Sequence, residues 1–273
     1  MIPGSDDATV SGPSGAPVQE APGGGDDTTQ ALRHHLTQVE RLLQTGSAAT
    51  AGFARKPRWQ QAGPAEERVT AALAMVLAIG LQILLPDDLA FKPRWILPAL
   101  EIALFLGLTL ANPVRMDRDS SLLRVANLVL IALISLANAW SAVLLVHGLA
   151  LGHGTTDAIG LLGNGASIYA TNILVFGLWY WEIDRGGPMA RARGIDPHPD
   201  FMFPQMSAPH VGPADWRPAF IDYLYVSFTN ATAFSPTDTM PLSRTAKAMM
   251  ALQSAVALVT IGLIVARAVN VLK

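Results

Sequence analysis

The sequence predicts an all-α polytopic membrane helix bundle with five full spans plus one short helix that either re-enters the bilayer or crosses it. Three observations carry that expectation. Of 273 residues, 51% are hydrophobic and only 15% charged, with a mean hydropathy of +0.33, whereas soluble domains carry about 25% charged residues. The apolar residues fall in long uninterrupted runs and not at periods of 2 or 3.6. The stretches between the runs hold most of the arginines and prolines.

Residues 1–30 contain six Gly, four Pro and five acidic residues (Asp6, Asp7, Glu20, Asp26, Asp27) but no Lys or Arg. So little apolar surface cannot offset the entropy of ordering, which predicts a disordered acidic tail. A signal peptide is not expected, because no basic segment leads into an apolar core. Residues 31–68 read as a cytosolic segment. Leu32, Leu36, Val39 and Leu43 recur at helical spacing between Arg33, Gln38, Glu40 and Arg41, giving a short amphipathic helix. A basic linker follows, where Arg55, Lys56 and Arg58 flank Trp59 as a headgroup-level anchor. The tetrapeptide Lys-Pro-Arg-Trp recurs at 92–95, before the second span, and reads as a second anchor.

The membrane hairpin region, 69–165, holds spans at 69–85, 95–111 and 122 to about 147. The C-terminal module, 166–273, holds spans at 166–181 and 246–271. At ~1.5 Å per residue each reaches across a ~30 Å core once a few flanking residues are added. The segment 219–234 contains Asp222, Thr229, Asn230 and Thr232 and reaches only ~24 Å, which suits a half-membrane helix. Arg33, Arg41, Arg58 and Arg68 precede span one, Arg115, Arg118 and Arg124 lie between spans two and three, and Arg185, Arg191, Arg193 and Arg217 follow span four. The loop 148–165 has no Arg or Lys. The N-terminus is therefore expected in the cytoplasm. Arg outnumbers Lys fifteen to four beside abundant Ala and Gly, a usage that suggests a bacterial cytoplasmic membrane.

Chemistry is sparse. With zero Cys there are no disulfides, thiolate metal sites or cysteine nucleophile. The net charge of −2 gives no electrostatic case for nucleic acid. Gly-x-Ser-x-Gly, His-Glu-x-x-His, the P-loop and Gly-x-Gly-x-x-Gly are all missing, and the six His are scattered. His147 and His153 near Asp157 read as exposed loop residues rather than metal ligands. No enzyme, cofactor or metal is expected; the expected partners are the lipid bilayer and further copies of the chain.

Four features remain. Span four ends in Trp179, Tyr180 and Trp181, followed by Glu182, Asp184 and Arg185. That charge cluster is either an interfacial ion network fixing span depth or a cation-attracting vestibule. A Pro-rich loop interleaved with Phe201, Phe203 and Trp216 is expected to be ordered by its aromatics. Glu101, about two turns into span two, is costly in hydrocarbon unless paired or neutral, and so is a candidate for function. Asn127, Ser135 and Asn138 on span three and Gln253, Ser254 and Thr260 on the last span are expected to bond between helices.

The fourth feature is the order short helix, polar turn, full span. The turn supplies Thr229, Asn230, Thr232, Ser235, Thr237 and Asp238 as candidate constriction residues. This order resembles potassium-channel pore modules, with Thr232, Asp238 and Pro241 on the filter motif's first Thr, its Asp and its Pro. Both filter glycines are replaced, by Ser235 and Thr237, so no potassium-selective filter is expected. Such a pore loop also enters from outside, whereas the loop before this helix is expected inside. Residues 170–272 further resemble an uncharacterised family of bacterial integral membrane proteins, through Gly186-Gly187, Phe203-Pro204, Asp222-Tyr223-Leu224-Tyr225, Thr237-Asp238-Thr239 and Ser243-Arg244. The resemblance implies the architecture and no activity. The functional expectation is an ion-conducting or transport-related protein whose polar turn lines a constriction. Its alternative is a non-conducting membrane scaffold or accessory subunit.

Overall fold

The structure is a computed structural model that describes residues 30, 32–42, 57–63, 68–111, 121–150, 158–208, 212–232 and 238–271. The chain divides into two compact units, Met1–Arg55 and Lys56–Lys273. In the first, residues 32–42 are helical and Leu32, Leu36, Val39 and Leu42 are exposed. The acidic tail lies outside the described residues apart from Gln30, as does Leu43.

The second unit holds α1 (Val69–Leu84), α2 (Ile96–Ala111), α3 (Ser121–Ala150), α4 (Ala158–Ile183), α5 (Pro188–Arg193), α6 (Pro204–Ser207), α7 (Phe220–Ala231) and α8 (Arg244–Val271), with two short strands, β1 (Phe201–Met202) and β2 (Met240–Pro241). Five full spans are expected from the sequence, and among the described residues three helices are long and apolar enough to cross a membrane: α3, α4 and α8. The other two, α1 and α2, have 16 residues each and reach only ~24 Å at ~1.5 Å per residue. Prolines bound them: Pro86 follows α1, Pro93 precedes α2 and Pro113 follows it. A proline removes a backbone donor and disfavours helix in the residue before it.

The hub of the unit is α4, which packs on α1, α3, α7 and α8. The core around it includes Met75, Leu130, Ile131, Ile134, Leu178, Tyr180, Trp181, Phe201 and Tyr223, all at most 0% exposed. Outward faces carry Leu136 and Val143 on α3 and Leu252 and Leu258 on α8, all exposed, the pattern of a surface whose solvent is lipid. Gly177 lets α7 approach closely, since a Cβ there would stand 3.2 Å from the Leu224 Cα.

The strands fix the course of the C-terminal module. They pair antiparallel, Phe201 opposite Pro241 and Met202 opposite Met240, and the Leu242 N–H donates to the Asp200 carbonyl at 2.7 Å. The start of α8 is thus tied to the segment that follows α4 and α5. Near the start of α7, the Tyr223 hydroxyl reaches Asp184, just past the end of α4. The start of α7 and strand β2 therefore lie at the same end of the bundle. The same end holds Arg68, whose Nη1 donates to the Leu108 carbonyl near the C-terminus of α2 at 2.8 Å. It also holds Arg124, whose Nε would be 3.9 Å from a Cβ at Gly187.

Candidate functional site

The charge cluster after α4 is a closed knot. Arg185, Gly186 and Gly187 take positive φ values of 52°, 78° and 95°, a reversal that two glycines make possible. A Cβ at Gly187 would sit 3.2 Å from the Glu182 carbonyl and 3.3 Å from its carboxylate. The turn places the buried Asp184 carboxylate against the loop. It accepts from the Asp200 N–H at 2.7 Å, the Phe201 N–H at 3.3 Å and the Tyr223 hydroxyl at 2.6 Å.

Arg191 of α5 turns back under α4, its Nη1 donating to the Trp181 and Asp184 carbonyls at 2.6 and 2.8 Å, with its guanidinium 5.1 Å from the Tyr223 ring. Arg185 donates to the Asp196 carbonyl at 2.6 Å and to the Trp59 carbonyl, and stacks 5.4 Å over the Trp59 ring. Trp59, expected as a headgroup anchor, thus serves the loop. Glu182 accepts from Asn127 Nδ2 of α3 at 2.5 Å and lies close enough to Arg68 to feel its charge. Asp184, Arg185, Glu182 and Arg191 are each at most 4% exposed, so none faces an open vestibule.

The aromatics of the Pro-rich loop seal the knot. Phe201 and Phe203 are 0% and 3% exposed and pack on Tyr180, Tyr223 and Trp216 at ring-centroid distances of 5.0 to 6.3 Å, geometries that add to simple area burial.

A second polar group joins α4, α7 and α8. Gln253 accepts from the Tyr180 hydroxyl at 2.6 Å and from Asn230 Nδ2 at 2.8 Å, and its Nε2 donates to the Ser227 carbonyl and hydroxyl at 2.9 and 2.7 Å. Ser227 donates onward to the Ile173 carbonyl at 2.6 Å. Asn230 also donates to the Met250 carbonyl at 2.9 Å and accepts from the Ser254 hydroxyl at 3.1 Å. The Thr229 hydroxyl returns to the Tyr225 carbonyl at 3.0 Å and that of Thr232 to the Phe228 carbonyl at 2.9 Å. Of the candidate constriction residues, these three thus have their polar groups committed inside the chain. Asp238 is exposed, while Ser235 and Thr237 lie outside the described residues.

Glu101 is the contrast. It is 0% exposed on α2, and neither carboxyl oxygen has a hydrogen-bond partner. On α3, Asn138 is 4% exposed with its Oδ1 likewise unpartnered. Among the described residues, no group of His, Asp and Glu is placed to hold a metal ion. His147 is exposed, and His153 and Asp157 lie outside the described residues.

Sequence reasoning singled out Glu101, and of the polar residues expected to bond between helices Asn127, Ser135, Gln253 and Ser254 do so, whereas the Thr260 hydroxyl returns to the Val256 carbonyl of its own helix at 2.7 Å and the Asn138 oxygen has no partner. Sequence reasoning missed Arg191, Tyr223, Tyr180 and Ser227. An arginine three residues after Pro188 carries no mark that it folds back under the preceding helix. No family model, no curated protein and no solved structure matches this chain.

Proposed function

We propose that this is a transport-related protein of a bacterial cytoplasmic membrane whose working group is Glu101, buried on α2, which packs on α1 and α3. The observation that carries the reading is the unpartnered, fully buried carboxyl. An ionisable side chain in hydrocarbon is expensive, and the ones that persist mark ion paths and proton relays. Purified protein in liposomes with a trapped pH indicator tests it. Proton or cation flux through the parent, abolished by Glu101→Gln, is the expected result; parent liposomes as tight as empty ones sink the reading.

In the same reading the N-terminus is cytoplasmic. Arg68, Arg124, Arg185, Arg191 and Arg244 gather at the end of the bundle where α1 and α8 start and α4 stops, and Arg/Lys-rich ends stay inside. Helices α1 and α2 then cross with flanking residues included, and α7 dips in from the cytoplasmic side. That dip shares its order of elements with potassium-channel pore modules but enters from the opposite face and lacks the filter glycines.

The hydrogen-bond closure of Asn230, Thr229 and Thr232 favours a second reading for the C-terminal module. There the polar groups of α7 lock helices together, because irregular chain at membrane depth must satisfy its polar groups within protein. If the whole chain acts so, it is a non-conducting scaffold or accessory subunit. A pore built from one short helix per chain would need several copies around an axis, so a monomer in lipid nanodiscs would exclude a pore around α7.

A further inference from the structure

A small cavity of about 20 Å³ lies between α1, α2 and α3, walled by Gln82, Arg94, Pro98 and Ser141 among others. Its volume admits one water, since roughly 10–15 Å³ of such space suffices, and its polar lining can bind one. It lies beside Arg94, which is part-exposed and paired with Asp87 in the loop between α1 and α2. The cavity therefore sits toward the end of the bundle opposite the Asp184 knot.

Helices α2 and α3 pack together and are joined by nine residues, 112–120, so they run antiparallel. Pro98 and Ser141, which wall the cavity, mark one level of the pair. Three residues further along α2 is Glu101, and three residues back along α3 is Asn138. Residues three apart share a helix face, so both lie one turn deeper than the cavity, on the faces that wall it. Both have buried oxygens without a partner, and Glu101 is the one residue of that kind, among the described residues, with both oxygens so placed. A buried acceptor without a donor is unfavourable, and a single proton on Glu101 turns its carboxyl into a donor that can serve a neighbouring acceptor such as the Asn138 Oδ1.

We propose that Glu101 and Asn138 form a proton-binding site reached through the water-sized cavity at Gln82 and Ser141. This rests on the reading of Glu101 as the working group. Among the described residues of these three helices, α1 has no ionisable side chain, α2 has only Glu101, and α3 has only Arg124 and His147, both more than two turns from Asn138 along the helix. Arg68 and Arg94 lie seven residues, about two turns, from the α2 level of Glu101, through the Leu108 contact and along the chain respectively. Proton occupancy is then set by the cavity's access to water.

Infrared difference spectra of the purified full chain in lipid, between acidic and alkaline pH, test the site. The expected result is a neutral-carboxyl C=O band that disappears at alkaline pH, is lost in Glu101→Gln, and shifts in frequency in Asn138→Leu. Each variant must elute and show helix content as the parent does. Should Glu101→Gln misfold, Glu101→Asp replaces it and must move the band. The proposal is overturned if no titrating band changes with Glu101, if Asn138→Leu leaves the band in place, or if sodium at fixed pH removes the band as alkali does, which would mark a metal-cation site. A titrating band in a protein without flux refutes transport and leaves the site standing; flux with no such band does the reverse.

Discussion

Replacing Gln253 with Leu removes the centre of the α4–α7–α8 network and keeps the side-chain volume nearly constant. Gln253 is 0% exposed and makes four hydrogen bonds, to Tyr180, Asn230 and twice to Ser227. Interhelical hydrogen bonds within membranes average ~0.6 kcal/mol and reach ~1.7, so four of them contribute about 2–3 kcal/mol. The partners suffer unequally. Ser227 keeps the Ile173 carbonyl and Asn230 keeps the Met250 carbonyl, but the fully buried Tyr180 hydroxyl retains only a 3.5 Å contact from Asn230. Most of the loss should therefore be shared with Tyr180. Gln253→Leu in a Tyr180→Phe background should cost about 1 kcal/mol less than in the parent, a coupling typical of neighbours in one network. Equilibrium unfolding of the four proteins in mixed detergent, followed by helix content, measures both quantities. A single-variant loss below about 0.5 kcal/mol, or strict additivity, would refute the view that this network holds α7 in place.

Asp184→Asn keeps the shape of the side chain, and its NH2 group can face the Tyr223 hydroxyl, which turns to accept, but it removes the negative charge that faces Arg191. Breaking a buried charged arrangement on one side costs about 3 kcal/mol, and a thermal melt in detergent should show a lowered midpoint; an unchanged midpoint would mean the knot is dispensable. A reporter fused after Lys273 should be active only outside the cytoplasm while one fused before Met1 is active inside, and a cytoplasmic C-terminal reporter would contradict the dip of α7.

The helices were legible because each announces itself in apolar content. The predicted 69–85, 95–111 and 246–271 differ from α1, α2 and α8 by one or two residues, since prolines, tryptophans and arginines punctuate them. Helix α4 begins eight residues earlier than the predicted 166, because Gly160, Gly163, Asn164 and Gly165 dilute its hydropathy without breaking it. The short helix was legible as too brief and too polar for a lipid-facing crossing, and its buried face on α4 and α8 accounts for Asn230 and Ser227. The knot was legible only as a list of charges. Its partners are backbone N–H groups and carbonyls at Trp59, Asp196 and Asp200, and nothing in residue type reveals where a backbone amide will be delivered. Glu101 was legible by rarity alone, and its lack of a partner emerges only from packing.

The pairing of β1 with β2 has one more consequence. Because the chain re-joins itself at residues 240–242 after the excursion that begins near 219, the parity of the remaining helices is indifferent to what that excursion contains. A change in the length of α7 would therefore act on its fit to α4 and α8, through Tyr223, Ser227 and Asn230, rather than on the rim from which the last helix starts.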